Sequence, residues 1–498
     1  MLKNAGIVSS FAVLAQLVGF LRTAIMAFLF GASGLVDAYY LALVVPILLS
    51  GIIGGWLQVA FVGRYMELCR QPGEASAEAF RSSIGRAILV IGVFASLTIF
   101  VARAPLTEIL VPASRASARQ LTELGIAVGA WSLLPTVLSD FLALILNCHG
   151  RFRVAALAPI INALVSALAL WLWPKHNLDA LLLTLMLGWF AQLFVMLFAF
   201  KRAGLRFIAQ HPLVTDDIRG ALRLALPVLP AVAFSNGTTA VIQMACSRLG
   251  EGAVALYGYA SRLHGALTQV MIVGISTVLL PHLADLLAER KHEEIIHLFW
   301  RIGRVTLLIF AFVLSGVILL GGETIATIFG HGRFDSVMGT DAANAWSILT
   351  LSLFPFALST FFAKLFQAMQ QPVLLSLSSL ISLLVTSLAC YVGQATIGLN
   401  GIVAAPLVAQ IFVLMFFLIC FKVRFHVSGL FPNWIRTLFV GCAVIAPSVA
   451  AELALGWYFY GQGGALVFGL RATVFAGIFL LTVKVSGVSK WVLREDTA

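Results

Sequence analysis

Charged residues are scarce in this chain of 498 residues: Asp, Glu, Lys and Arg make up 11% of it, against 61% hydrophobic residues. Because soluble globular domains carry about a quarter charged residues, this composition excludes a water-soluble fold. Runs of about 20 apolar residues, the length a helix needs to cross a bilayer, recur along the chain. The alternating pattern of an outer-membrane barrel strand is absent. The sequence therefore predicts an all-α, multi-pass membrane protein.

The motifs of enzymes and metalloproteins are also lacking. The six cysteines have no CxxC spacing, and the nine histidines show no spacing typical of metal ligands. There is no Ser-His-Asp arrangement and no phosphate-binding GxxxxGK[ST] loop. We predict that the protein is not an enzyme, and that it holds no metal ion and no other cofactor.

The net charge of +11 follows from 32 basic against 21 acidic residues. When the N-terminus is placed in the cytoplasm, most Lys and Arg residues fall in segments on the cytoplasmic side. Positive residues are retained on that side of a membrane, so both termini are predicted to be cytoplasmic. The excess positive charge is thereby explained by topology, and nucleic acid is not an expected partner.

Apolar runs separated by charged or Gly/Pro-rich breaks predict about 14 transmembrane helices. Within them, two halves of the chain match. The segment SSIGR ending at Arg86 matches FWRIGR ending at Arg304, and WSLLPTVLSDFLA from Trp131 matches LSLFPFALSTFFA from Leu351. Segments in the same order at nearly the same spacing indicate an internal duplication.

The duplication predicts the domain organisation. Each repeat holds six helices, an even number, so the two halves have the same orientation in the membrane, as in parallel-repeat transporters. We expect an N-terminal lobe at 1–205, a C-terminal lobe at 206–425 and two extra transmembrane helices at 426–498. Two such lobes suggest a central cavity that opens to each face in turn.

Helix-bending residues fall at positions where such lobes could move. Pro135 and Pro355 are equivalent in the two repeats and would kink the fourth and tenth helices. Gly51, Gly54 and Gly55 would loosen the second helix. All five are candidate hinges, although Gly and Pro are also common in membrane helices for other reasons.

The segment from Val18, VGFLRTAIMAFLFGASGLVDAYYLALVVPILL, resembles the N-terminal signature of the MviN/MurJ family. YGYASRLHG from Tyr257, STVLLPHLAD from Ser276 and GHGRFDS from Gly330 resemble further family segments. The resemblance implies a flippase of the bacterial inner membrane. Such a protein moves an undecaprenyl-diphosphate-linked saccharide, first of all the peptidoglycan precursor lipid II, from the inner to the outer leaflet. Its partners would be this substrate, membrane lipid and enzymes of cell-envelope synthesis.

The resemblance also assigns substrate-binding roles to Arg22, Arg262 and Asp37. Arg22 interrupts an apolar helix, where a charge costs roughly 2.5–3.5 kcal/mol on insertion scales, so its presence favours a function. A fixed guanidinium could bind a diphosphate through paired hydrogen bonds. Two structural alternatives stay open: Arg22 could snorkel to an interface, and Asp37 could only cap the second helix.

Four further charged residues lie within predicted helices. Asp140 and Lys364, on helices that are repeat partners, form a possible pair that either faces the cavity or is purely structural. Glu452 and Arg471, on the last two helices, are expected to neutralise each other or to snorkel, and no function is assigned to them.

The chain also departs from the family pattern. Gln16, Thr23, Ser50, Gly51 and Gly265 stand where family members usually carry charged residues. The predicted cavity is therefore less charged than the cavity typical of the family, and three alternatives stay open. The first is a flippase for exopolysaccharide or O-antigen repeat units. The second, ranked lower, is a cation-coupled multidrug antiporter of the same superfamily, and the third is a scaffold for cell-envelope enzymes.

Overall fold

The computed structural model describes residues 2–70, 74–205, 219–220, 223, 226, 229–425, 434–459 and 465–485, and the side chains of most of them. Every regular element in these ranges is a helix, in agreement with the all-α prediction. The chain divides into two compact units, Met1–Ala255 and Leu256–Ala498. The lobe boundaries expected from the repeat stay a prediction.

Ten α-helices of the first unit have both bounds within the described residues, and the unit also contains the first turn of a further helix. In chain order they are α1 (Leu2–Phe30), α2 (Gly34–Trp56), α3 (Val62–Arg70), α4 (Glu74–Val101), α5 (Arg103–Leu110), α6 (Ala116–Gly129), α7 (Leu133–Cys148), α8 (Phe152–Leu172), α9 (Leu178–Arg202) and α10 (Leu229–Ser247). A π-helical turn, Leu57–Phe61, joins α2 to α3. Helix α2 packs against α6, α7 and α10, so it is central to this unit.

The second unit begins inside α11 and contains the remaining helices. They are α11 (Ala253–Ala288), α12 (His292–Ile328), α13 (Ser336–Thr350), α14 (Leu353–Ala368), α15 (Pro372–Thr396), α16 (Leu399–Phe425), α17 (Trp434–Tyr458) and α18 (Ala465–Val485). A cluster of buried aromatic side chains from α12, α14 and α16 forms a core of this unit: Phe299, Phe361, Phe362, Phe417 and Phe421. Rings in this cluster lie 5.0 to 6.1 Å apart, the range of favourable aromatic packing.

Eleven stretches of helix among the described residues are long and apolar enough to cross a membrane. They coincide with predicted spans two to six and nine to fourteen, and the predicted total of fourteen is not confirmed. For the first span, the part of α1 whose side chains are described, Leu14–Phe30, is apolar but too short to meet this length criterion. At the seventh, the polar run from Ser235 to Thr239 in α10 lowers the hydropathy of the helix.

The two repeats are broken at equivalent prolines. Pro135 is the third residue of α7, which follows a 3-10 turn at Ala130–Ser132, and Pro355 is the third residue of α14, which follows a turn after α13. Three residues before each proline, a serine hydroxyl donates a 2.7 Å hydrogen bond to the backbone carbonyl of the residue three positions earlier. Ser132 donates to Gly129, and Ser352 donates to Leu349. The predicted fourth and tenth helices are therefore each interrupted at this point, as a proline requires. Whether these breaks act as hinges stays a prediction.

Candidate functional site

Arg22 of α1 is held inside the first unit and does not extend towards lipid. Its side chain is buried, with 8% of its surface exposed. Nη1 donates a 2.8 Å hydrogen bond to the phenol oxygen of Tyr39 on α2, and Nη2 donates one of 3.0 Å to the carbonyl of Leu181 on α9. The guanidinium carbon lies 5.2 Å from the centre of the Tyr39 ring, a cation–π distance. Snorkelling to an interface does not describe this side chain.

The charge of Arg22 lacks a compensating carboxylate among the described residues. Both of its hydrogen bonds go to neutral oxygens, and Nε is buried without a hydrogen-bond partner in the described parts of the chain. A guanidinium has five N–H donors, so most of its capacity is unused. Because an unpaired buried ion costs several kcal/mol, this arrangement favours the binding of an anion.

Asp37, in the first turn of α2, caps a different helix from its own. Its carboxylate is 4% exposed and accepts hydrogen bonds from the backbone amides of Gly252 at 2.7 Å and Ala255 at 2.8 Å. These amides belong to the start of α11, where unpaired N–H groups attract negative charge. The N-cap of α2 itself is Ser33, whose side chain makes no capping bond. The alternative that Asp37 only caps the second helix is therefore wrong, and its role in substrate binding stays a prediction.

Three more contacts tie the end of α10 and the 248–252 turn that follows it to the rest of the first unit. The amide of Gly34 donates to Glu251 at 2.8 Å. Arg115 donates to the carbonyls of Ser247 and Gly250 at 2.8 and 2.9 Å. Gly252 has φ +86°, a left-handed conformation that favours glycine. We call Gly34, Asp37, Arg115 and Glu251, with the turn they hold, the turn clamp.

The remaining predicted charged residues occupy separate helices. Arg262 is half-buried on α11 in the second unit, and Asp140 is half-buried on α7 in the first. Lys364 of α14 donates a 3.3 Å hydrogen bond to Gln367, one turn along the same helix. The pairing of Asp140 with Lys364 stays a prediction.

Two of the three candidate hinge glycines lie in close contact with α10. A Cβ placed on Gly51 would lie 2.6 Å from Oδ1 of Asn236, and one on Gly55 would lie 2.8 Å from Val232. Among the described residues, no heavy atom outside the neighbouring backbone of α2 lies within 4 Å of that position at Gly54. Gly51 and Gly55 therefore let α2 and α10 approach each other, a structural reason for glycine that the sequence did not reveal.

Arg471 of α18 pairs with two carboxylates. It bonds to Glu452 of α17, with Nε at 2.9 Å from Oε1, and it also bonds to Glu323 of α12. Glu452 is 1% exposed. The expected neutralisation of Arg471 by Glu452 is confirmed, and the link to α12 is a further contact that holds the last two helices to the second unit.

The family model "Lipid II flippase MurJ" matches residues 26–474. This chain belongs to the MurJ family of lipid II flippases. Its relatives in the family include the lipid II flippase MurJ of Burkholderia cenocepacia, 28% identical over 79% of this chain and 78% of that one. The probable lipid II flippase MurJ of Rhizobium meliloti is 23% identical over 97% of this chain and 93% of that one.

Solved structures agree on the MurJ fold. A lipid II flippase MurJ in an inward closed conformation matches with a TM-score of 0.80 and 19% identity, over 98% of this chain and 99% of that one. An inward-facing multidrug resistance MATE family transporter of the MOP superfamily matches with a TM-score of 0.69 and 15% identity, over 84% and 94% of the two chains. At these identities the likeness shows the fold. The family consists of transporters, so its members move a lipid across the membrane and convert nothing chemically.

The sequence did not identify Tyr39, the Leu181 carbonyl, Arg115 or Glu251 as parts of the site. Tyr39 could have been found, because a tyrosine in an apolar helix brings a hydroxyl that needs a partner. A backbone carbonyl carries no signal in the residue type. Arg115 and Glu251 lie in short connections, where a charged residue is ordinary and points to no particular function.

Proposed function

We propose that this protein moves lipid II, an undecaprenyl-diphosphate-linked saccharide, from the inner to the outer leaflet of the bacterial inner membrane. Membership of the MurJ family supports this proposal, as does the fold shared with a solved MurJ. In this proposal both termini are cytoplasmic, in keeping with the distribution of basic residues. The two six-helix lobes at 1–205 and 206–425 would alternate the access of a central cavity.

The buried charge of Arg22 is the observation that carries the proposal. A diphosphate bearing sugars cannot cross hydrocarbon, because its charges and hydroxyls would lose their hydration. Tyr39 and the Leu181 carbonyl orient the Arg22 guanidinium, and its remaining N–H donors can replace part of that hydration. It can also contact phosphate oxygens in a bidentate manner. The lipid tail can stay between helices, so only the headgroup needs a polar path. Arg262, on α11, is the second cation proposed to act on the diphosphate.

The turn clamp supplies a releasable contact for alternating access. Within the clamp, Asp37 binds the start of α11 through two backbone amides, so loss of this one contact leaves no other charged side chain without a partner. A cap of this kind contributes about 0.5–2 kcal/mol. That free energy is small enough to be overcome by differential binding of a ligand to two states. We propose that Asp37 holds the start of α11 in the conformation described and releases it during transport.

The departures from the family pattern favour a second candidate function. Gln16 and the Ser50–Gly51 pair stand where family members usually carry cations, so a less densely charged headgroup would suit this cavity. A flippase for exopolysaccharide or O-antigen repeat units meets that description. Cation-coupled drug export receives no such support, because the likeness to MATE transporters is one of fold alone.

Complementation separates the two candidates. The gene is expressed in a strain whose own lipid II flippase can be depleted, with membrane abundance checked by immunoblot. Restored growth is the expected result. If an abundant, correctly inserted protein does not restore growth but restores surface O-antigen in a strain without its O-antigen flippase, the second candidate replaces the first.

A further inference from the structure

A cavity of about 560 Å³ lies at one end of the second unit, beyond the aromatic core. Its walls come from the ends of α11, α14 and α16 and the start of α12. Three basic side chains line it: Arg290, His292 and Arg424. Its apolar lining includes Leu287, Met369 and Phe425, with the His292 and Phe425 rings in edge contact at 5.4 Å.

The two arginines of this cavity form no ion pair with any described residue. Neither Arg290 nor Arg424 has a carboxylate partner within the described parts of the chain. By contrast, Lys291 forms ion pairs with Glu289 at 2.9 Å and Glu294 at 3.2 Å, and the hydrogen bonds to them raise its pKa. Two of the carboxylates near Arg290 in sequence, Glu289 and Glu294, are therefore paired with Lys291, and both guanidiniums of the cavity remain available to an anion.

The backbone is strained at this cavity and nowhere else among the described non-glycine residues. Arg290 has φ 58° and Gln370 has φ 55°, the left-handed conformation that side chains disfavour. Arg290 lines the cavity, and Gln370 lies between the lining residues Met369 and Gln371. In the first repeat the position equivalent to Gln370 is Gly150, with φ 71°. A glycine at position 370 would thus be sufficient to form the turn. Backbone strain at residues other than glycine is often found at functional sites.

Two helix starts add to the positive potential here. Helix α12 begins at His292 and α15 at Pro372, and neither N-cap residue, Lys291 or Gln371, makes a side-chain capping bond. Unpaired amide protons at helix starts attract phosphate and other anions.

We propose that this cavity binds a phosphate-bearing anion through Arg290 and Arg424, with its apolar wall against the remainder of the ligand. Two sources share this chemistry: the headgroup of an anionic phospholipid and a soluble diphosphate. The distribution of basic residues assigns this end of the unit to the cytoplasm, where both sources are present. The site is separate from Arg262, because roughly 40 Å of helix axis lies between that residue and the end of α11.

The test measures binding of each source to the purified full-length protein. Inorganic diphosphate is titrated by calorimetry in detergent. Retention of phosphatidylglycerol is measured by native mass spectrometry from phosphatidylcholine nanodiscs that contain it. Three variants are compared with wild type: Arg290→Gly, Arg424→Gln and Lys422→Gln. Glycine suits φ 58°, so Arg290→Gly removes the charge without a fold penalty. Lys422→Gln is the matched control, since it removes a cation from the same last turn of α16 without lining the cavity.

The proposal predicts binding by wild type and by Lys422→Gln, and about tenfold weaker binding by each arginine variant, as expected for loss of a charge-assisted hydrogen bond. Binding of the lipid alone identifies a headgroup site, and binding of diphosphate alone identifies a soluble ligand. Absence of both in wild type overturns the proposal, and so does equal weakening by Lys422→Gln. Because the readout is binding, the result does not depend on which substrate is transported.

Discussion

The Asp37 carboxylate accepts a 2.8 Å hydrogen bond from the backbone amide of Ala255, which lies 218 residues further along the chain. A second bond, from Gly252, makes the contact bidentate. An acidic residue at the start of one helix thus caps the start of another. If this contact opens and closes during transport, its loss should affect transport more than it affects folding.

Asp37→Ala removes both bonds and should lower transport severalfold or more. Its stability cost should be about 0.5–2 kcal/mol, the usual range for loss of a cap. Asp335→Ala is the matched control, because Asp335 caps α13 through the amide of Met338 at 2.8 Å. The control should lose similar stability and keep its transport. Wild-type transport by Asp37→Ala, measured in proteoliposomes beside thermal unfolding, would contradict a role for the clamp.

Tyr39→Phe keeps the aromatic ring beneath Arg22 and removes the oxygen that orients it. The lost hydrogen bond has a charged donor and is worth about 1.5–3 kcal/mol, so transport should fall by roughly tenfold to a hundredfold. Tyr391→Phe, which removes the hydroxyl of an exposed tyrosine on α15, should transport at the wild-type rate. Equal rates for wild type and Tyr39→Phe, at matched protein in the vesicles, would show that the phenol does not position the guanidinium.

Three single alanine substitutions test whether the glycines of α2 act as a hinge or are needed for helix packing. Gly51→Ala and Gly55→Ala should each destabilise the protein by about 1–3 kcal/mol, the usual cost of overpacking, because the new methyl groups meet Asn236 and Val232. Gly54→Ala has open space and should be neutral, or stabilising by up to about 1 kcal/mol. Stability is read from thermal unfolding in detergent. A loss of transport in Gly54→Ala, with stability unchanged, would instead support a hinge.

Arg471→Leu should strongly destabilise the second unit, because Glu452 would keep a buried charge without its partner. The expected cost is about 3–5 kcal/mol. Replacing both residues, Arg471→Leu with Glu452→Leu, removes the charge as well and should recover most of the loss. The readout is thermal unfolding, together with membrane abundance. If the double variant is as unstable as the single one, the ion pair is not the source of the effect.

Local features of the sequence predicted the fold well. The apolar runs coincide with helices, the paired prolines Pro135 and Pro355 mark equivalent breaks, and Arg471 with Glu452 forms the expected pair. Each of these features can be recognised within one short segment, or because a charged residue is rare in an apolar helix. A charge in an apolar run is visible because its cost requires an explanation.

The contacts of the site could not be predicted in the same way. The partners of Asp37 are backbone amides more than 200 residues away, and no residue type marks them. The closeness of α2 and α10 at Gly51 and Gly55 depends on packing between distant segments. Glycine in a membrane helix is too common to reveal such a contact.

The most direct test of the central claim compares lipid II transport by wild type, Arg22→Ala and Arg22→Lys in proteoliposomes at matched abundance. If Arg22 binds the diphosphate, alanine should abolish transport with folding nearly intact. Lysine should rescue it only in part, because an ammonium cannot form the bidentate contact. Full transport by Arg22→Ala would contradict the claim, and equal transport by lysine and arginine would reduce it to a requirement for positive charge alone.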